Sequence, residues 1–362
     1  MTRDTISTNN EWVTLTSDTY FLTATGSHDT IQTGAGNDIL TNKGAYAYID
    51  AGEGSDNITN EKTAESSTII GGAGNEFIFN YAQSVYISGG AGIDLIGSYA
   101  DDCTVDAGDD VDVINSTGAR ALIDGGSGDD NISNGGILST INAGAGNDYI
   151  VNQSGGVGSF ISGGKGDDTI ENYSSADSVT VDGGVGNDTL KNAGFYCLVT
   201  GGAGTDSVVN FGAYTTLNGG AGDDDILNNS SGVGVLIFGG EGADLIANSA
   251  KKATLNGGAG DDEIYTSGRY TLIDGGAGDD TIYVAKEDAT VTGGEGNDVI
   301  DFGDLAGVYN YLGGDDTLFG AGNDNLIVNA DYDFFKEIGG NMIFHIGAGT
   351  LTLMNQTAEN AN

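Results

Sequence analysis

A carboxylate returns every 18 or 20 residues along most of this chain, behind a glycine-rich turn and two residues ahead of an apolar position. The clearest copies read Gly-Gly-Ala-Gly-Asp-Asp-Thr-Ile at residues 275–282 and Gly-Gly-Glu-Gly-Asn-Asp-Val-Ile at residues 293–300. The series runs Asp38, Asp56, Asp94, Asp112, Asp130, Asp148, Asp168, Asp188, Asp206, Asp224, Asp244, Asp262, Asp280, Asp298 and Asp316, with Glu76 in the one gap. A repeat this short cannot bury a core by itself, so each copy must be one coil of a stacked solenoid. Because the repeating element is charged, the stack is also expected to be a metal array.

Two apolar columns accompany the carboxylate. Two residues after it stand Leu40, Ile58, Ile78, Ile96, Ile114 and their successors through Leu318. Seven residues before it stand Ile31, Ile49, Ile69, Ile87, Val105 and their successors through Tyr309. Each coil therefore has two short strands, and each strand turns one large side chain inward. Sixteen coils at the ~4.8 Å strand spacing would make a stack roughly 70 Å long. Fold class is thus all-β, a parallel solenoid of about sixteen coils. We expect an N-terminal cap at residues 1–25, the repeat domain at 26–328 and a C-terminal cap at 329–362. In the last, residues 338–347 followed by 350–353 read as a closing hairpin.

The two turns of a coil differ. One carries Gly-x-Gly-x-Asp; at the matching place in the other stand small uncharged residues such as Ala47, Ser67, Val85, Cys103, Ala121 and Ser139. Metal is expected along one edge only. The extra residues of the longer coils belong in the second turn, at stretches such as 153–158 and 230–234. A further column, four residues after the carboxylate, holds Asn42, Asn60, Asn80, Asn134, Asn152, Asn172, Asn192, Asn210, Asn228 and Asn248, with Ser98 and Ser116 between. Stacked amides bond from coil to coil, so this column reads as a structural ladder.

Net charge is −42, from 53 acidic and 11 basic residues. Nucleic acid and anionic membrane are poor partners for such a chain, since both reward Lys and Arg. The 64 glycines and absence of proline suit tight turns joined by hydrogen-bonded strands. Residues 1–20 contain no apolar run of signal-peptide length, and no segment is apolar enough to insert in a membrane. An export signal would lie elsewhere, or the chain is a piece of a longer protein.

Aspartates stacked ~4.8 Å apart repel by roughly 1 kcal/mol per neighbour in water, and by more in a protein interior. No basic residue repeats with them. A hard dication between coils would convert the repulsion into ligation. Calcium suits oxygen-only sites of irregular geometry, whereas zinc would want the His and Cys of which there are two each. The carboxylate shares a strand face with a core position, so it points into the turn rather than to water.

The motif resembles the nonapeptide Gly-Gly-x-Gly-x-Asp-x-U-x of haemolysin-type (RTX) calcium-binding repeats, over about residues 26–328. That resemblance implies a parallel β-roll with Ca2+ between successive turns, held by the aspartates above and by turn carbonyls. It also implies export in unfolded form through a type I channel, although residues 356–362 carry no apolar ending. In the usual version both half-coils carry the motif. Here one has lost it, except where residues 26–29 (Gly-Ser-His-Asp) precede Asp38 and where Asp324 follows Asp316. Asp324 is included among the candidate ligands. Weak sites are expected at Glu76, Asp94 and Asp112, where Ile93, Val111 and Asp110 depart from the pattern. Roughly a dozen ions would cancel over half of the −42.

Other chemistry finds little support. Cys103 and Cys197 share a column five coils apart, roughly 24 Å, too far for a disulfide. His28 and His345 stand at opposite ends of the repeat, and no catalytic motif accompanies them. The expected function is a non-enzymatic, calcium-dependent structural or adhesive module of a secreted or surface bacterial protein, with a protein or glycan partner that the sequence does not name. An ice-binding adhesin domain would want threonines in the outward turn row, which instead reads Ala35, Glu53, Ala73, Ala91, Asp109 and onward without one. An accessory module of a polysaccharide-modifying enzyme or protease is the remaining alternative.

Overall fold

The computed structural model describes residues 2–15, 19–229, 233–303, 305, 307–320, 326–329, 334–338, 341–346 and 349–354. Asp324 and residues 230–232 of the second-turn stretch lie outside them. Every regular element among the described residues is a β-strand. They fall into two compact units, residues 1–185 and 186–362.

From Tyr48 onward each coil of the first unit gives one six-residue strand, such as Tyr48–Glu53, and one four-residue strand, such as Asn57–Asn60. Like strands stack in parallel, the long ones in one sheet and the short ones in the other. Register follows the sequence period: Ile49 pairs with Ile69, and Ile58 with Ile78. Both predicted apolar columns are thereby buried to essentially nothing, including Ile69, Ile87, Ile96 and Ile114. Burial of each such side chain contributes roughly 1.5–3 kcal/mol, repeated coil after coil.

Longer coils keep this register because their extra residues stay in the second turn. Tyr48 pairs with Thr68 across 20 residues, and the added length folds into a local turn closed by the Ala64 amide on the Glu61 carbonyl, 2.8 Å. The same device recurs between Gly156 and Gln153. The second turn also places one residue in the left-handed region, as at Tyr46 (φ 61), Ser84 (φ 59) and Arg120 (φ 56). The following small residue, Ala47, Val85 or Ala121, is buried. The N-terminal residues continue the ladder: Thr2 pairs with Tyr20 and Trp12 with Thr30, both in parallel and 18 residues apart.

The second unit repeats the coil. Its long strands include Leu198–Ala203, Thr216–Ala221 and Leu236–Glu241, its short ones Ser207–Asn210, Asp225–Asn228 and Leu245–Asn248. Leu217 stacks on Ile237, and Val208 on Ile226. At the end, Phe334–Ile338, Asn341–Ile346 and Gly349–Leu353 form an antiparallel meander, which includes the expected hairpin. Its last strand joins the sheet in parallel, pairing Leu353 with Leu318.

Glycine is demanded where the coils turn. Gly276 and Gly278 have φ of 119° and 134°, and a Cβ on them would come within 2.1 and 2.2 Å of carbonyls in the coil before. No L side chain fits there. Where the pattern lapses, Asp110 adopts φ 78° in place of the second glycine.

Candidate metal-binding edge

The aspartate ends the glycine turn and begins the short strand, so its side chain is turned inward with the core residue two places later. All fifteen aspartates from Asp38 to Asp316, and Glu76, are at most 2 % exposed. Buried carboxylates need partners, and half of that need is met by the backbone. Within each unit Oδ1 of these aspartates accepts the amide of the equivalent residue one coil earlier. In the first unit Asp38 donates to Asp56 at 2.7 Å, and the contact repeats from Asp94 to Asp112, Asp130 and Asp148. In the second unit it runs from Asp188 to Asp206 and on to Asp316, at 2.7 to 3.2 Å.

The other oxygen is left over. Oδ2 is buried and has no hydrogen-bond partner at Asp38, Asp56, Asp94, Asp112, Asp130 and Asp148. The same holds at Asp206, Asp224, Asp244, Asp262, Asp280 and Asp298. A lone orphan of this kind costs about 1–3 kcal/mol or more when charged. Repeated in a regular row, these oxygens are the kind of donors a bound cation would need. Oδ2 also faces a carbonyl: a Cβ on Gly275 would sit 2.2 Å from Oδ2 of Asp280 and 2.4 Å from the carbonyl of Gly293 in the next coil. The arrangement recurs at Gly219, with Asp224 and Gly239, and at Gly257, with Asp262 and Gly275. No three His, Cys, Asp or Glu side chains gather at one point among the described residues. A cation here would be held by one carboxylate per coil together with backbone carbonyls, a donor set that fits calcium.

The electrostatics show the strain of leaving these groups uncompensated. Burial is the first cause, raising Asp56, Asp130, Asp148, Asp244 and Asp262 from 3.8 to about 6. Asp112, Asp224 and Asp280 are raised to about 7. The amide from the preceding coil pulls each one down, and neighbouring carboxylates push it up again. Asp94, Asp206 and Asp298 are raised by the same burial.

Irregular positions are instructive. The extra methylene of Glu76 carries its carboxylate past the ladder, leaving both oxygens buried and without partners. Burial and the adjacent Asp94 push its pKa well up. Asp316 differs in the opposite way: its second oxygen accepts the phenol of buried Tyr309 at 2.5 Å. Asp29, in the half-motif that precedes Asp38, is not among the ligands expected from the sequence. It lies in the small-residue column of the other turn and is buried, with Oδ1 accepting the Glu11 amide at 3.0 Å and Oδ2 orphaned. The half-motif before it was the available signal.

The asparagine column is the ladder the sequence suggested. Asn42 donates to Asn60 and Asn60 to Asn80, each at 2.8 Å, while Asn210 donates to Asn228 at 2.9 Å in the second unit. These amides also close the second turn, as in the bonds of Asn210 with both backbone groups of Gly212. They are buried, so the column serves the fold. Cys103 and Cys197 are likewise buried thiols of the small-residue column.

Comparison with known families meets this geometry. The RTX calcium-binding nonapeptide repeat matches in four copies, at residues 21–42, 139–156, 254–268 and 274–306. Together they cover about a quarter of the chain, and both units contain matches. No curated protein matches the chain significantly.

Proposed function

Since the chain carries RTX calcium-binding nonapeptide repeats in a parallel β-solenoid, we propose that it is a calcium-folded structural or adhesive module of a secreted or surface bacterial protein. The observation that carries this reading is the row of buried Oδ2 atoms without a hydrogen-bond partner, at Asp38, Asp56, Asp94, Asp112, Asp130 and Asp148 and again from Asp206 to Asp298. The aspartates from Asp38 to Asp298 would hold the ions in each unit, with turn carbonyls completing the shell. Bound calcium would supply the positive charge that the edge lacks. The protein's own contribution is to fix the acceptor: the interstrand amide engages Oδ1, so Oδ2 alone is presented. Roughly a dozen ions across the two units follow from one per regular gap.

Calcium is scarce in the cytosol and abundant outside. Sites of this kind therefore couple folding to arrival outside the cell. We read the module as non-enzymatic, in keeping with the structural character of the repeat. The described residues include no helix long and apolar enough to cross a membrane.

The test is circular dichroism of the chelated protein titrated with calcium, beside a magnesium titration and calorimetric stoichiometry. β structure should grow with calcium, and magnesium should do much less. Complete β structure in chelator, or equal action of magnesium, would sink the proposal.

A further inference from the structure

The long strands of residues 1–185 expose a column that alternates without exception. Trp12, Tyr48, Tyr86, Leu122 and Phe160 occupy every second strand. Thr30, Thr68, Thr104, Thr140 and Thr180 occupy the strands between, paired with them in register. The large members are 74, 40, 38, 48 and 44 % exposed. Their neighbours do not alternate: the buried column beginning Ile31, Ile49 and Ile69 is uniformly apolar, and the small column reads Ala47, Ser67, Val85, Cys103. Duplication of a two-coil unit would have alternated those columns as well.

Packing accounts for part of this. Threonine between large residues relieves crowding across adjacent strands. The second unit shows the same relief with leucine alone: Leu198, Leu236 and Leu272 alternate with Thr216, Thr254 and Thr290. Packing does not explain why the first unit uses aromatic rings and leaves them open to water.

Two strand spacings separate successive large residues, ~9.6 Å. Two places along each strand, on the same face, runs a largely polar column, Gln32, Asp50, Ser88, Asp106, Asp124 and Asn142, interrupted by Ile70. Tyr86 donates its phenol to Asp106 at 3.2 Å, and the Asn142 amide reaches Asp124 at 3.0 Å. Flat apolar platforms beside a row of carboxylates and amides suit a sugar polymer, whose C–H faces stack on rings while its hydroxyls seek donors and acceptors.

We propose that this face binds an extended, neutral β-1,4-linked glycan laid across the strands. Alternate sugars of such a polymer are turned over, so every second one offers the same face, at close to the two-strand spacing. The rings would receive those sugars, and the threonine notches the ones between. Charge selects this occupant: the formal charge is −42, and a dozen bound calcium ions would still leave roughly −18, so the folded chain repels both anionic polymers and a second copy of itself.

The inference rests on the calcium-folded form, so folding is checked by circular dichroism in the same samples. Full-length protein in calcium is sedimented with microcrystalline cellulose and with chitin, and titrated with cellohexaose; starch and alginate serve as controls. Binding to at least one β-1,4 polymer is expected, with none to starch or alginate. Tyr86→Ala with Phe160→Ala should weaken it by roughly tenfold or more at unchanged dichroism, while Leu236→Ala leaves it intact. Failure of the folded protein to bind any β-1,4 glycan overturns the proposal. So does binding that survives loss of the rings, or calcium-dependent dimerisation that their loss abolishes, which would make a second copy the occupant. A chain unfolded in calcium would instead overturn the calcium reading and, with it, this one.

Discussion

The phenol of Tyr309 donates to Oδ2 of Asp316 at 2.5 Å, whereas Oδ2 of Asp280 and Asp298 has no hydrogen-bond partner. Tyr309 stands where the other coils place isoleucine, valine or leucine, and its side chain is wholly buried. Its hydroxyl competes for the oxygen that a cation would use. Tyr309→Phe should therefore destabilise the chelated protein by about 1–3 kcal/mol, since it strands a buried acceptor. In saturating calcium the loss should shrink, because the freed Oδ2 becomes a ligand. Thermal unfolding of the variant with and without calcium decides the matter; equal losses in both would place Asp316 outside the metal row.

Neutralising a regular member of the row should change sign with calcium. In Asp262→Asn the amide oxygen can still accept the Asp244 backbone amide, which now binds at 2.9 Å. Without metal the variant loses a buried charge and should gain about 1–3 kcal/mol. With metal it should be less stable than the parent and bind fewer ions. Unfolding midpoints in chelator and in calcium, with calorimetric stoichiometry, test this. A loss of stability in chelator contradicts it.

Acid should stabilise the metal-free chain. Asp112, Asp224 and Asp280 move from 3.8 to about 7 on folding, and Asp56, Asp130 and Asp262 to about 6. Between those limits the folded chain holds more protons than the unfolded one. Stability therefore falls as pH rises through that window. In chelator, β structure should be stronger near pH 4.5 than near pH 8. With calcium the order should reverse, because ligation requires ionised carboxylates. Dichroism at the two pH values, with and without calcium, is the check, and a metal-free form that strengthens with rising pH would refute it.

The asparagine ladder should be indifferent to metal. Asn210 receives the Asn192 amide at 2.8 Å, donates to Asn228 at 2.9 Å and bonds both backbone groups of Gly212. Asn210→Ala leaves several of these groups buried and unmet, a loss of about 2–4 kcal/mol. The melting temperature should drop by a similar amount in chelator and in calcium. A drop confined to calcium would mean that the ladder, too, belongs to the metal site.

Much of the fold was legible because a solenoid poses the same local problem in every coil. Glycines at Gly276 and Gly278, an inward Asp280 and an inward Ile282 recur at fixed offsets, so one dimension of pattern gives coil, core and edge together. The longer coils did not blur this, since their extra residues stay in a turn and leave Tyr48 opposite Thr68. Asp29 was harder to read, being a carboxylate in a column that continues as small residues from Ala47 onward.

What the sequence by itself determined was the coil: its length, its two buried columns, its carboxylate edge and its amide ladder, all set by residue order within a single turn of chain. Tertiary structure decided which carboxylate oxygen is used and which is left, that Tyr309 satisfies Asp316, and that Trp12, Tyr48, Tyr86 and Phe160 stand in one exposed column. These depend on the distance between residues that meet only when one coil lies on the next. The physical reason is direction: periodicity shows which way a side chain faces, but only stacking shows which atom it meets.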